Sequence, residues 1–364
     1  MASSKGKWLL YGATGYTGRL IAAEAVRRGH SPVLAGRSEA KLASLAEPLG
    51  LSYLVLGLDD EGPLRRALQD VQVVLHSAGP FVETSAPMLR ACLETGASYL
   101  DITGELPVFR AAFSYDALAQ KKGVAVVCGV GFDVIPTDCL ARYLAEKLPR
   151  ATELEIAIAA IGKPSSGTAK SALGQLPEGN CRRRGGAMVS EAFGRGARKV
   201  RFSDHERWAV PVPLADLETG YRTTGIPNVT TYLAVSRQVA RVLQVGWPLA
   251  AAASMLGQAV SSNAAFQRVA AKWLEKKVHG PDEAARRRGR SYVWARVAGP
   301  GGTEAQAWLE TCEAYQFTAL ATVRAVEEVL EKKPVGCLTP AQAFGADFVL
   351  GIEGSRRFDA LPAA

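Results

Sequence analysis

Metal chemistry and disulfide cross-linking have little to draw on in this sequence. Its 364 residues include four histidines and six cysteines. The cysteines (Cys92, Cys128, Cys139, Cys181, Cys312 and Cys337) form no Cys-x-x-Cys pair, and no histidine stands at zinc spacing from them. No metal site is expected, and free thiols in a reducing compartment are. A signal peptide is not expected either, because Met1–Lys7 run straight into an apolar strand pattern. A cytoplasmic location is the expectation. The arginine runs beyond residue 180 (Arg182–Arg184, Arg195 to Arg201, Arg286–Arg288 with Arg290) lack interleaved aromatics and a recognition-helix pattern, which argues against a nucleic-acid partner.

Charge is missing altogether from residues 242–267, 26 residues between Arg241 and Arg268. That exceeds the roughly 20 apolar residues needed to span a bilayer. Yet Gln244, Gly246, Pro248, Gly257, Gln258, Ser261, Ser262, Asn263 and Gln267 interrupt the run. Core or substrate-tunnel helices are the first expectation. Peripheral membrane contact is the alternative, suited by the flanking Arg237, Arg241, Arg268 and Lys272.

What the chain does have is a core-forming composition, 48% hydrophobic and 21% charged, on a length that allows two domains. Apolar runs at 8–11, 32–35, 53–56, 71–76, 98–102 and 124–128 alternate with helical patterns around 16–28, 38–47, 61–69, 84–95 and 107–121. Six strands with intervening helices imply right-handed crossovers and an α/β, doubly wound parallel sheet. A helix over about 136–148, opened by Pro136 and stopped by Pro149, is expected to close this domain. Beyond it, strand patterns at 154–159, 200–202, 208–210, 228–235 and 291–297 suggest a second, α+β domain with antiparallel pairing. An amphipathic helix is expected near 311–331, with another short helix beginning in 336–341. The expected division is 1–148, 149–310 and 311–364, the last returning to pack on the first.

The strongest local signal is Gly12-Ala13-Thr14-Gly15-Tyr16-Thr17-Gly18, placed between the first strand and the first helix. Such a turn lets the backbone approach a dinucleotide pyrophosphate, while the following helix offers N–H groups and the positive end of its dipole. Gly12, Thr14, Gly15, Tyr16, Thr17 and Gly18 are therefore cofactor-binding candidates in a Rossmann-type domain. NAD-binding domains carry an acidic residue about 20 residues past the glycines. This chain has Arg37 there, followed by Ser38 and Lys41. A guanidinium grips a 2′-phosphate in bidentate fashion, so NADPH is the expected cofactor. Asp59 after the third strand is a candidate adenine contact, or a cap for the next helix. Ser77, Ala78, Gly79 and Pro80 after the fourth strand should lie beside the nicotinamide ribose. His76 reads as a strand residue and not as a base. The net charge of +8 suits an anionic partner: cofactor phosphates, a coenzyme A thioester or an acidic carrier protein.

Two further loops emerge at the same sheet edge, Tyr99–Glu105 and Gly129–Asp138. Their carboxylates Asp101, Glu105, Asp133 and Asp138 are candidates for orienting substrate or relaying a proton, and Asp133 and Asp138 equally for capping the helix near Pro136. Thr103, Tyr16 and the Gly129–Gly131 amides are candidate donors to a developing oxyanion. Tyr143-x-x-x-Lys147 has the spacing of a tyrosine–lysine proton-donor pair, but it falls near the end of a domain-closing helix with no suitably placed serine and reads as surface.

With these residues in view, the chain resembles the saccharopine dehydrogenase-like oxidoreductases, and within them the group that includes the trans-acting enoyl reductases. The matching pieces are Gly12–Gly18, Ala78–Phe81, Tyr99–Glu105, Gly131–Asp138, Gly280–Asp282 with Arg288–Arg290, and Leu338–Gly345. The resemblance implies an NADP-binding domain, a second domain closing over the nicotinamide, and hydride transfer either to a conjugated C=C bond of a lipid- or polyketide-like acyl substrate or at a C=N bond of amino-acid metabolism. The uncharged 242–267 stretch favours the acyl substrate. Tyr16, Asp101, Thr103, Glu105 and Asp133 are the catalytic candidates. Partners to consider are an acyl carrier protein and a second copy of the chain. A cofactor-binding scaffold or redox sensor without catalysis is the reading from outside enzymology.

Overall fold

A computed structural model describes residues 7–160, 162–175, 180–191, 196–245 and 280–361, with short pieces at 269–270, 273–274 and 277–278. The uncharged stretch therefore lies outside the described residues from 246 to 267. Among the described residues, no helix is long and apolar enough to cross a membrane.

By its internal contacts the chain forms two compact units, Met1–Asp133 with Tyr315–Phe344, and Val134–Ala314 with Gly345–Ala364. In the first, β1 (Trp8–Tyr11), α1 (Tyr16–Arg27), β2 (Val33–Gly36), α2 (Glu39–Leu49), β3 (Tyr53–Val55), α3 (Glu61–Leu68) and β4 (Val73–His76) alternate. They are followed by α4 (Phe81–Thr95), β5 (Ser98–Asp101), α5 (Leu106–Phe113), α6 (Asp116–Lys122) and β6 (Ala125–Val127). Helical patterning over 107–121 thus resolves into two helices. The six strands are joined by a seventh, Gly336–Leu338, which runs parallel to β6. The sheet order is Gly336–Leu338, β6, β5, β4, β1, β2, β3, all parallel. Strand order reverses between β1 and β4, which opens a crevice at the carboxyl edge there. Strands buried on both faces need apolar residues throughout, and β1 and β4 are buried at every position.

The helix α7 (Ile135–Lys147) departs from expectation. It belongs to the second unit, and its buried residues include Ile135, Cys139, Leu140 and Leu144, the helix packing against that unit's sheet. The second sheet contains β7 (Glu153–Ala160), β8 (Asn180–Arg184), β9 (Ala187–Glu191), β10 (Arg198–Arg201), β11 (Glu206–Pro211), β12 (Asn228–Val235), β13 (Arg290–Ala298) and β14 (Glu304–Cys312). A last strand, Arg356–Phe358, pairs with β14. Among the described residues, only β7 and β12 run parallel and every other pairing in this sheet is antiparallel. The sheet coils enough for edge strand β10 to approach β14, where Trp308 Nε1 donates to the Arg201 carbonyl at 2.7 Å. Trp294, Trp308, Tyr232, Phe202 and Ala157 fill the concave face.

The C-terminal portion is split between the units. The helix Ala314–Lys332 and residues through Phe344 belong almost wholly to the first, while Gly345–Ala364 belong to the second. The tail from 345 is held there: Tyr143 donates to the Asp359 carboxylate at 2.8 Å, Lys147 pairs with it, and Arg357 stacks 3.5 Å over the Tyr143 ring. The tyrosine–lysine pair is thus an exposed clasp for the tail.

Candidate cofactor and active site

The glycine-rich turn is dictated by close packing. Gly12 has φ +82°, and a Cβ there would lie 2.8 Å from the backbone nitrogen of Ala78 in the loop after β4. A Cβ on Gly18 would come within 2.3 Å of the Gly12 carbonyl oxygen. Gly15 is exposed and stands at the N-cap of α1 with no side-chain cap, and the first turn of α1 holds no acidic residue. An uncapped helix start beside backbone with no side chain in the way is suited to an anion.

A second helix, α4, also starts at this edge, but its N-terminus is already satisfied. Glu105 is buried, and its two carboxylate oxygens accept from the amides of Phe81 at 3.0 Å and Val82 at 2.7 Å. A carboxylate has thus taken the place an anionic ligand would occupy at α4. This leaves α1 as the open one of the two. The peptide joining Gly79 to Pro80, just before α4, is cis.

Arg37, Ser38 and Lys41 follow β2. Arg37 and Lys41 are exposed, and none of the three side chains makes a hydrogen bond or ion pair among the described residues. Arg37 and Asp59 both act on Tyr11, whose hydroxyl donates to the Leu56 carbonyl at 3.2 Å. Burial pushes the Tyr11 pKa up, Arg37 pulls it down and Asp59 raises it. Tyr11, which sequence reasoning treated only as strand, therefore marks where the loops after β2 and β3 converge. Asp59 does not cap α3; Asp60 does, accepting from the Gly62 amide at 3.1 Å. Ser77 turns inward, its hydroxyl donating to the Tyr11 carbonyl at 2.8 Å. His76 is wholly buried, stacked on Tyr11, and burial lowers its pKa to about 3. It is neutral at physiological pH, as a strand residue should be.

The catalytic candidates separate by access. Asp101 is 0% exposed, and its oxygens accept from the Thr103 amide (3.0 Å), the Gly129 amide (2.8 Å) and the Tyr99 hydroxyl (2.9 Å). Thr103, also buried, accepts from the Glu105 amide at 3.0 Å. Asp101, Thr103 and Glu105 therefore form the framework that fixes the loops after β4, β5 and β6. All three are buried, and the carboxylate oxygens of Asp101 and Glu105 are engaged by the neighbouring loops. Asp133 differs. Its carboxylate lies over Gly104, where a Cβ would meet it at 3.2 Å, and it makes no hydrogen bond or ion pair among the described residues. Dense surroundings raise its pKa, yet its own surface is open to solvent, and that surface governs its access. It does not cap α7. Neither does Asp138, which is buried in the second unit and accepts from the Thr223 hydroxyl at 2.5 Å. Tyr16 is half-buried at the start of α1, with the ring of Tyr315 edge-on at 5.0 Å.

The Asp101 carboxyl has its pKa pushed up to about 6 by burial, against the lowering effect of its hydrogen bonds. A pKa raised in the folded state means the native chain holds the proton over a range where the unfolded chain has released it. Stability then falls as pH rises from about 4 to about 6, by roughly 3 kcal/mol. Asp101→Asn keeps an acceptor for both amides and places a donor against the Tyr99 oxygen. It should gain on the native protein as pH rises through that window, with a level difference above it. Urea unfolding of both chains at pH 4, 5, 6 and 7 tests this; a difference independent of pH would refute it.

Two residues contributing to the site escaped sequence reasoning, Tyr315 and Thr318. They come from the distant Ala314–Lys332 helix, and only their three-residue spacing hints at a shared face.

A parallel sheet with a glycine turn, an open helix start at the strand-order reversal and an unpaired basic group after β2 defines a dinucleotide-binding α/β unit. Residues 8–127 match the family model of the saccharopine dehydrogenase NADP binding domain. Residues 8–127 thus match an NADP-binding domain of the saccharopine dehydrogenase type, and NADP(H) is the cofactor. Among curated proteins, the chain is 32% identical over 144 residues to the "trans-acting enoyl reductase" of Mycobacterium ulcerans, covering 37% of this chain and 34% of that one. It is 35% identical over 156 residues to a "putative trans-acting enoyl reductase" of Mycobacterium tuberculosis, covering 40% and 37%. The matched stretch spans about a third of the length of these relatives. Among solved structures, saccharopine dehydrogenase (L-Glu forming) of Saccharomyces cerevisiae aligns over 97% of this chain and all of its own, with TM-score 0.65 and 14% identity. That likeness concerns the fold.

Proposed function

We propose that this protein is an NADPH-dependent reductase that adds hydride to the conjugated C=C bond of an acyl substrate presented as a thioester. The observation that carries the reading is the similarity, over 144 and 156 residues, to proteins named trans-acting enoyl reductases. Bound NADPH supplies the hydride. The chain's own residues divide the remaining tasks. The Gly12–Gly18 turn and the start of α1 hold the pyrophosphate, and Arg37 with Ser38 and Lys41 grips the 2′-phosphate. Asp59 faces the adenine, and the Ser77–Pro80 loop borders the nicotinamide ribose. Tyr16 and Asp133 are the accessible groups at the edge that can orient a carbonyl or deliver a proton. An acyl carrier protein or coenzyme A would bring the acyl chain.

Steady-state NADPH oxidation with crotonyl-coenzyme A and a longer enoyl thioester tests the reaction, with an amino acid plus a semialdehyde as the competing C=N pair. Consumption with a thioester supports the reading. Consumption only with the amino-acid pair would replace it by the saccharopine-type reaction. Tight NADPH binding without turnover on either would favour a scaffold or sensor.

Cofactor choice has its own test. Arg37→Asp removes charge-assisted bonds and sets a carboxylate against a phosphate, so NADPH affinity should fall about 100-fold while NADH changes only a few-fold. Equal loss for the two cofactors would refute the role of Arg37.

A further inference from the structure

The helix Ala314–Lys332 brings its first turn to the carboxyl edge of the first sheet and engages two loops there. Thr318, itself buried, accepts from the Phe132 amide through its hydroxyl at 3.0 Å. Its methyl group lies 3.1 Å from where a Gly131 side chain would begin, so the loop after β6 rests directly on it. Phe317 meets the Phe132 ring edge-on at 5.9 Å, and Tyr315 meets Tyr16 in the same manner. Tyr315 and Thr318 are three residues apart, so a single face of one helical turn touches the loops after β1 and β6.

The loop after β6 lies on the side of the site opposite Arg37. In the sheet order, β2 flanks β1 on one side and β4, β5 and β6 extend on the other. With the 2′-phosphate end at β2 and the pyrophosphate at α1, the nicotinamide half extends toward β4–β6. The Gly131–Asp133 loop stands there, and Thr318 fixes the Gly131–Phe132 peptide, one residue before Asp133.

We propose that Thr318 is a positioning residue for the nicotinamide half of the cofactor site, acting through the Phe132 amide; this rests on the NADP reading of the unit. Its hydroxyl has no bearing on the Arg37 end, so losing it should affect one half of the cofactor and spare the other. Thr318→Val keeps the shape and removes the acceptor, Thr318→Ala serves as a second loss variant, and Thr318→Ser restores the hydroxyl.

Calorimetric affinities for NADPH and for 2′,5′-ADP, which lacks the nicotinamide half, read the effect. Thr318→Val and Thr318→Ala should weaken NADPH about tenfold and leave 2′,5′-ADP within about twofold, and Thr318→Ser should recover NADPH to within about threefold. A structural role alone would move both ligands together or neither, and either result overturns the proposal. Failure of the serine variant to recover NADPH overturns it too. If the native protein binds neither ligand, the NADP reading falls and the proposal with it. If it binds both and the variants do not separate them, the proposal alone falls.

Discussion

Glu105→Ala is expected to lower the stability of the first unit by about 3 kcal/mol, because one buried amide, one part-buried amide and a helix N-terminus lose their acceptor at once. The carboxylate is 1% exposed and accepts from Phe81 and Val82. In a unit of this size such a loss shifts the thermal midpoint by about 10 °C. Glu105→Gln should cost about half as much, since one amide keeps an oxygen partner while the other faces an N–H group. The consequence reaches the cofactor turn through Ala78, against which Gly12 packs. NADPH affinity should therefore fall along with stability. Thermal unfolding with and without NADPH measures both; a midpoint drop below about 2 °C for Glu105→Ala would show that the amides find other partners.

The case of Glu105 shows what a sequence conveys about such a site. Its position after β5 is legible from the apolar rhythm of the strands, because parallel strands buried on both faces read as continuous apolar runs. Its role is not, since the amides it serves lie 23 and 24 residues upstream. A carboxylate at a sheet edge looks the same in the sequence whether its oxygens are open, as at Asp133, or taken, as at Asp101. Only the packing around each decides.

The same limit explains the elements that differ. Gly336-Cys337-Leu338 is too short to announce a strand, and it joins β6 from more than 200 residues away. The pattern of α7 continues the strand–helix alternation, but the sheet that buries its apolar face includes β14, which begins more than 150 positions later. The glycine turn, by contrast, is local. Strand, turn and helix are contiguous, so their geometry is set by the residues that announce it. Arg37 is nearly as local, standing one residue past the strand that pairs with β1.

That locality allows two of the three glycines to be told apart by experiment. Gly18→Ala should be the most damaging single methyl in the first unit, since its Cβ would meet the Gly12 carbonyl oxygen at 2.3 Å and the Ala13 Cα at 2.8 Å. Both are backbone atoms of the turn and cannot rotate away. Either α1 lifts off β1 or the turn opens, at a cost of about 3 kcal/mol or more and with NADPH binding lost. Gly15→Ala carries no such clash: its nearest neighbour would be the Gly12 oxygen at 3.3 Å, and its φ of −69° suits any residue. The folded state should tolerate it within about 1 kcal/mol. Its methyl, however, would project from the exposed N-cap toward the space assigned to the pyrophosphate, so NADPH affinity should fall at least about tenfold. Unfolding curves paired with NADPH titrations distinguish the two glycines. Equal stability loss in both variants would mean the turn is merely tight, whereas loss of binding at native stability in Gly15→Ala alone would locate the phosphates at the start of α1.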